Sequence, residues 1–248
     1  MFDQFPKVRP ALPEKIAEIY GSHYKENRDG GSAASSLSQK LESWLHRRVA
    51  EDVVKDSSTP RSTLEIGAGT LNQLQYEPSV GDYDAIEPFA QLYEGSSAIS
   101  RVRNIYSDIN DVPSDYRYDR ITSVAVFEHI CNLPEVIAKA ALILKPTGVM
   151  RIAIPSEGTP LWTLGWRLTT GLEFRLRYGV DYGLLMKHEH VNTAKEIEGL
   201  LRYFFNTVEC SVFGASKLLS LYQYYECVSP DLSKCEKYLQ LHCSSTTD

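Results

Sequence analysis

From residue 62 onward, short apolar runs alternate with stretches whose apolar residues recur at helical spacing. Residues 63–66 read as a first strand ending in a glycine turn, and residues 83–86 as a second ending at Glu87-Pro88. A third over 101–106 ends near Asp108, a fourth over 120–126 stops before Phe127-Glu128-His129, and a fifth over 149–154 is closed by Pro155. Between the fourth and fifth, Val136, Ala140 and Ile143 share one helical face. Asn132 suits the cap of that helix and Pro134 its first turn, where a missing N–H costs nothing. Strands alternating with helices predict an α/β chain with a mostly parallel, doubly wound sheet.

The flanks read differently. Residues 1–61 are polar and helical and are expected to form an N-terminal helical cap on a domain spanning 62–248. Ile16, Ile19 and Tyr20 share one face; after a Gly/Ser-rich stretch over 30–36, Leu41, Trp44, Leu45 and Val49 form a second stripe. These helices either cover one edge of the sheet or close over a ligand with Tyr24, Asn27 and Arg28 near it. Residues 156–188 read as irregular and too long for a simple connection, so a lid-like insert is expected there. Thr193 with Glu196 forms a capping box, and Leu200, Leu201 and Phe204 give the helix behind it an apolar face. Segments 207–213 and 221–228 suit a closing β-hairpin. No element is assigned after Pro230.

A formal charge of -6 argues against a general nucleic-acid binder, and 43% apolar residues suffice for a sizeable core. None of the five cysteines is paired as Cys-x-x-Cys, which fits reduced thiols. The N-terminus lacks a basic region followed by an apolar run, and no apolar stretch approaches the ~18 residues of a membrane span. The expectation is a soluble cytoplasmic enzyme without stable membrane insertion.

In a doubly wound sheet, ligands bind beyond the carboxyl ends of the strands. Gly67 and Gly69 follow the first strand, where glycine permits a tight turn and close approach by a ligand. Glu65, just before them, would repel a dinucleotide pyrophosphate but attract a sulfonium ligand bearing an amino group. Glu87 at the second strand end can accept both hydroxyls of a ribose. Asp108 at the third can accept from an adenine amine, with Ile109 against the ring. A nicotinamide-dependent oxidoreductase is disfavoured by Glu65 and by Asn72, where the dinucleotide fingerprint wants a third glycine.

The series Glu65-Ile66-Gly67-Ala68-Gly69-Thr70, Ala85-Ile86-Glu87-Pro88, Ser107-Asp108-Ile109, Tyr118-Asp119-Arg120-Ile121 and Val126-Phe127-Glu128-His129-Ile130 resembles the motifs of class I S-adenosylmethionine (SAM)-dependent methyltransferases, in the type 11/type 23 group. Leu144-Lys145-Pro146-Thr147-Gly148 and His190-Val191-Asn192-Thr193 are similar to their later segments. The resemblance implies a seven-stranded Rossmann-like sheet and SAM as cofactor. It implies that Glu65 and the Gly67-Ala68-Gly69 backbone hold the methionine part, Glu87 with Pro88 the ribose, and Asp108 with Ile109 the adenine. Ala125 and Val126 would line the cofactor. One position departs from the pattern: Leu71 stands where many members carry a third glycine.

Methyl transfer to a hydroxyl gains from a general base, and His129 and His190 are the catalytic candidates. Their plainer roles are to hold the turn with Glu128 and to orient Asn192. His188-Glu189-His190 shows no third ligand, so no metal is expected. The insert interleaves Trp162, Trp166, Phe174, Tyr178 and Tyr182 with Arg167, Arg175, Arg177 and Lys187. Aromatic faces suit rings and Arg forks suit phosphates or carboxylates, so Trp166, Arg175, Arg177 and Tyr182 are the acceptor-binding candidates. The expected acceptor is a hydroxyl of a sugar, nucleotide-sugar or glycan intermediate. A lipid-linked form would bring the insert into peripheral contact with a membrane. The competing readings are a homodimer contact for the insert and, for the chain, an N- or C-methyltransferase of natural products or a SAM-binding partner protein without turnover.

Overall fold

Seven strands, β1 (Thr63–Ile66), β2 (Tyr83–Ile86), β3 (Asn104–Tyr106), β4 (Tyr118–Val124), β5 (Leu144–Pro155), β6 (Phe205–Gly214) and β7 (Ser220–Pro230), form one sheet. Their order is β3-β2-β1-β4-β5-β7-β6. Neighbours among β1 to β5 run parallel, and β7 lies antiparallel to both β5 and β6. The order reverses between β1 and β4, which is where a doubly wound sheet opens its crevice. The computed structural model describes residues 1–19, 33–78 and 80–242, with the backbone alone for 33–40. Tyr20, Tyr24, Asn27, Arg28 and Cys243 lie outside the described residues.

Among the described residues the sheet is flanked by the helices α1 (Ala33–Lys55), α2 (Leu133–Leu142), α3 (Pro160–Leu168), α4 (Thr170–Tyr178), α5 (Tyr182–Glu189), α6 (Ala194–Phe204) and α7 (Leu232–His242). Residues 14–19 are helical as well. The main core packs Leu133, Ile137 and Ala141 of α2, Ile197 and Phe204 of α6 and Cys235 and Tyr238 of α7 against Leu64, Ile121, Met150 and Ile152 of the sheet. A second cluster seats Leu45 and Val49 of α1 on Val124, Ala153, Tyr222 and Tyr224. The apolar stripe of α1 thus covers the sheet over β4, β5 and β7.

Four stretches differ from the expectation or add to it. The connections after β1 and β2 hold short 3-10 turns, such as Asn72–Gln75 and Ala90–Leu92, in place of full helices. Pro78 and Gly81 in one, and Pro88 and Gly95 in the other, interrupt any longer helical run. Residues 156–188 carry three short helices joined by turns in place of an irregular stretch. Thr159 accepts from the Trp162 N–H and Pro160 occupies the first turn of α3, Gly179 ends α4 in the left-handed region at φ 70°, and Asp181 caps α5. The tail after Pro230 forms α7. The capping box of α6 has the expected form: the Glu196 N–H donates to Thr193 Oγ1, and the Thr193 N–H to Glu196 Oε2 at 2.8 Å. No described helix is long and apolar enough to cross a membrane.

An ionic staple fastens α1 to the sheet. Arg120 on β4 is fully buried; its guanidinium donates to both carboxyl oxygens of Glu77 at 3.0 and 3.1 Å and to the Val49 carbonyl at 3.1 Å. Asp52 lies 2.9 Å from Arg120 Nε and 3.3 Å from Arg151 Nε.

Candidate active site

A cavity of about 1200 Å³ opens beyond the carboxyl ends of β1, β2, β3 and β4. Its wall includes Glu65, Gly67, Ala68, Gly69, Glu87, Pro88, Asp108, Ile109, Ala125 and Val126, all ten residues proposed from the sequence to hold a cofactor. The turn after β1 explains its composition. Gly67 sits at φ +74°, and a Cβ there would lie 2.4 Å from a Val126 methyl group. Val126 follows Ala125, itself left-handed at φ 54°, so the exits of β1 and β4 press together. Gly69 faces open space: a Cβ there would meet nothing within 4 Å. Leu71 also has a left-handed backbone, at φ 65°. Its side chain is buried with Ala68, Leu74, Tyr83 and Ala85, and that packing offsets the ~1–2 kcal/mol cost of the conformation.

The carboxylates differ in what holds them. Glu87 Oε2 accepts from the Gly69 N–H at 2.8 Å and Oε1 from the Phe89 N–H at 3.0 Å. That carboxylate shapes the glycine loop and retains acceptor capacity toward the cavity. Asp108 is exposed and caps the turn after β3, with Oδ1 accepting from the Asn110 N–H at 2.9 Å. Glu65 corrects the expectation of a ready carboxylate. It is buried, Tyr83 Oη donates to its Oε2 at 2.8 Å, and burial pushes its carboxyl up to about 8 in spite of that hydrogen bond. An acid raised above its ordinary value of 4.5 holds a proton in the folded chain that the unfolded chain has already lost. Stability is therefore worn away as pH rises from about 4.5 to about 8. Between about pH 6 and about pH 9, wild type is expected to lose on the order of 8 °C more in melting temperature than Glu65→Gln. Parallel melting curves would contradict the assignment.

The two candidate histidines meet. Their ring centres are 4.9 Å apart. His129 Nδ1 lies 2.9 Å from the Glu189 carbonyl, which can only accept, so this nitrogen carries the hydrogen. His190 Nδ1 lies 2.7 Å from Glu157 Oε2. Burial alone would raise the Glu157 carboxyl, but hydrogen bonds from His190 and Trp162 outweigh it and hold it below the ordinary value. Both Nδ1 atoms are thus donors, and in the neutral rings Nε2 keeps its lone pair. Glu128 is buried beside His129, and burial pushes its carboxyl up to about 7. Asn192 fastens the arrangement: its N–H donates to the Glu128 carbonyl and its Nδ2 to those of Phe127 and Ile130. His188 also lines the cavity, with Nδ1 2.7 Å from the Pro10 carbonyl.

On the insert side, Phe174, Arg177, Tyr178 and Tyr182 line the cavity. Two acceptor candidates stand apart from the cavity wall. Trp166 lies off the cavity wall and packs on Tyr182 with ring centres 5.8 Å apart, and Arg175 is exposed outside it. Residues 174, 177 and 178 follow the i, i+3, i+4 spacing of one helical face, and 175 falls off it. Several residues escaped the sequence reading. Arg9 reaches in from the N-terminal segment and donates to the His129 and His188 carbonyls at 3.0 and 3.1 Å. His46 and Gln73, 2.8 Å apart, close the wall behind Glu65. Glu157 stands just past the end of β5, where the strand-end rule would have found it.

The model of a methyltransferase domain matches residues 34–204. The chain belongs to this methyltransferase family. It is a SAM-dependent methyltransferase, as its motif series implied. No curated protein matches it in sequence. Among solved structures, the plantazolicin methyltransferase BpumL in complex with SAH aligns at 16% identity and TM-score 0.60, over 82% of this chain and 90% of that one. The CurJ carbon methyltransferase aligns at 19% identity and TM-score 0.52, over 86% and 57%. A DhpI-SAM-HEP complex aligns at 14% identity and TM-score 0.52, over 89% and 99%. These likenesses establish the fold. The enzyme's own residues fit SAM: an open glycine turn, the Glu87 carboxylate at its mouth with acceptor capacity left for a ribose, and a cavity that continues past the turn to α4 and α5.

Proposed function

We propose that the enzyme methylates a hydroxyl of a small, anionic, ring-bearing acceptor: a sugar, nucleotide-sugar or glycan intermediate. The observation that carries this is the continuity of one cavity from the glycine turn, past His129, to Phe174, Arg177, Tyr178 and Tyr182. Aromatic faces there suit a ring and the Arg177 guanidinium suits a phosphate or carboxylate. SAM, when bound, supplies a methyl group on a good leaving group, so positioning the acceptor supplies much of the catalysis. In this reading Glu87 and Asp108 hold the nucleoside part, Glu65 and the Gly67 to Gly69 backbone the methionine part, and Ile109, Ala125 and Val126 exclude water from between them. Exposed Leu164, Leu168, Leu172 and Leu176 on α3 and α4 support peripheral contact with a membrane that presents a lipid-linked acceptor. Residues 1–61 serve as a cap on the domain, and the location is cytoplasmic. A second reading, transfer to nitrogen or carbon of a natural product, draws support from the fold shared with BpumL and CurJ.

The test is SAH release with a panel of sugar phosphates, nucleotide-sugars and uncharged natural products. Arg177→Glu is expected to raise the KM for the active acceptor about 10-fold or more, with SAM affinity unchanged, while Arg175→Glu changes neither. Equal effects of the two substitutions would discard the anionic acceptor. His129→Ala and His190→Ala are each expected to cut kcat about 100-fold with SAM affinity near wild type. Turnover unchanged in both variants would remove the pair from the chemistry.

A further inference from the structure

Beside the cavity, a ring nitrogen of His129, a ring nitrogen of His190 and a carboxyl oxygen of Glu128 lie within 4.8 Å of one another. We propose that Glu128, His129 and His190 hold a divalent transition-metal ion whose remaining coordination positions open toward the cavity.

Four observations carry this. Glu128 Oε2 is buried without a hydrogen-bond partner among the described residues, in a side chain that is 1% exposed. Its other oxygen lies 3.7 Å from His129 Nε2, but a buried oxygen left without a partner is costly, and a cation is a partner that would offset that cost. Second, each imidazole has its Nδ1 engaged by an oxygen acceptor, the Glu189 carbonyl and the Glu157 carboxylate. That leaves Nε2 as the binding atom of both rings, and such outer partners are what orient metal-binding histidines. Third, Asn192 ties the turn bearing Glu128 and His129 to the segment bearing His190, so the three groups are held in register. Fourth, His129 lines the cavity, so an ion on its Nε2 side would be within reach of a bound acceptor. Ligands 2.0–2.2 Å from one ion in a tetrahedral shell stand about 3.3–3.6 Å apart, so the three groups, now within 4.8 Å of one another, would draw together by up to about 1.5 Å on binding. Two nitrogens with one carboxylate favour zinc, iron, cobalt or nickel over magnesium or calcium.

What the ion would do rests on the function proposed above: it would hold an oxygen of the acceptor and lower the pKa of its hydroxyl. Acceptors with an ionisable hydroxyl would then be preferred, and the two histidines would act through the ion.

The experiment uses the untagged full chain, stripped with a chelator and titrated with Co²⁺ and Zn²⁺. One ion per chain is expected, with visible Co²⁺ absorption and no displacement by excess Mg²⁺. Glu128→Gln and His190→Ala are each expected to weaken binding at least about 10-fold, and Glu157→Gln about 10-fold through the freed imidazole. His188→Ala is expected to bind as wild type does, and melting curves establish that each variant is folded. Wild-type metal affinity in both Glu128→Gln and His190→Ala would overturn the site, as would no binding above that of a His129→Ala/His190→Ala double variant. SAM is titrated in parallel. Loss of metal binding with SAM binding intact defeats the metal site alone; metal binding without SAM binding defeats the donor reading alone.

Discussion

Replacing Glu87 by alanine is expected to weaken SAM binding by about 100-fold or more while the chain stays folded. Glu87 is 6% exposed, yet its two oxygens accept from the Gly69 and Phe89 N–H groups across the mouth of the glycine turn. Each hydrogen bond to a charged group contributes about 1.5–3 kcal/mol. Alanine removes both from the loop and removes the acceptors for the ribose hydroxyls as well. A loss of about 3 kcal/mol in donor binding corresponds to roughly 100-fold. Glu87→Gln keeps the shape but exchanges one acceptor for a donor, so an intermediate loss of about 10-fold is expected. Calorimetric titration with SAM reads both variants, and wild-type affinity in Glu87→Ala would remove this residue from the donor site.

Arg120→Ala is expected to produce the largest loss of stability. The guanidinium is fully buried and pairs with Glu77, whose side chain is itself only 4% exposed. Truncation leaves that carboxylate buried and uncompensated, a situation that costs about 3–5 kcal/mol. For a chain of this size the melting temperature should fall by about 10 °C. It also removes one of the two arginines that anchor α1 at the Val49 carbonyl and Asp52, leaving Arg151 on both. Because the attraction of a buried pair is largely offset by its desolvation, Arg120→Met/Glu77→Met is expected to recover much of the loss. A double variant no more stable than Arg120→Ala would show that packing around α1, and not the unpaired charge, sets the cost.

The donor wall was legible because its residues sit at strand ends, and strand ends follow from short apolar runs bounded by glycine, proline and acidic residues. Glu65, Glu87 and Asp108 were reachable in that way, and so was Glu157, two residues past Pro155. The charge state of Glu65 was not, since it depends on burial against Tyr83 from the neighbouring strand. The faces of the insert were not legible. Without the helix starts at Thr159 and Asp181, its interleaved aromatic and basic residues could not be assigned to faces, and Arg175 and Trp166 were placed with Arg177 and Tyr182. The union of Glu128 and His129 with His190 lies beyond local pattern. Those segments are about 60 residues apart, and the Asn192 hydrogen bonds that join them belong to the tertiary structure. Arg9, which reaches the same region from the N-terminal segment, carries no sequence signal at all.

The central claim is that the cavity beyond β1, β2 and β4 binds SAM through the glycine turn and Glu87. The most direct measurement is calorimetric titration of the full chain with SAM and, separately, with NAD, alongside Glu87→Ala. Binding of one SAM per chain, no heat from NAD and the roughly 100-fold loss in Glu87→Ala is the predicted result. Binding of NAD in place of SAM, or equal SAM affinity in wild type and Glu87→Ala, would contradict it.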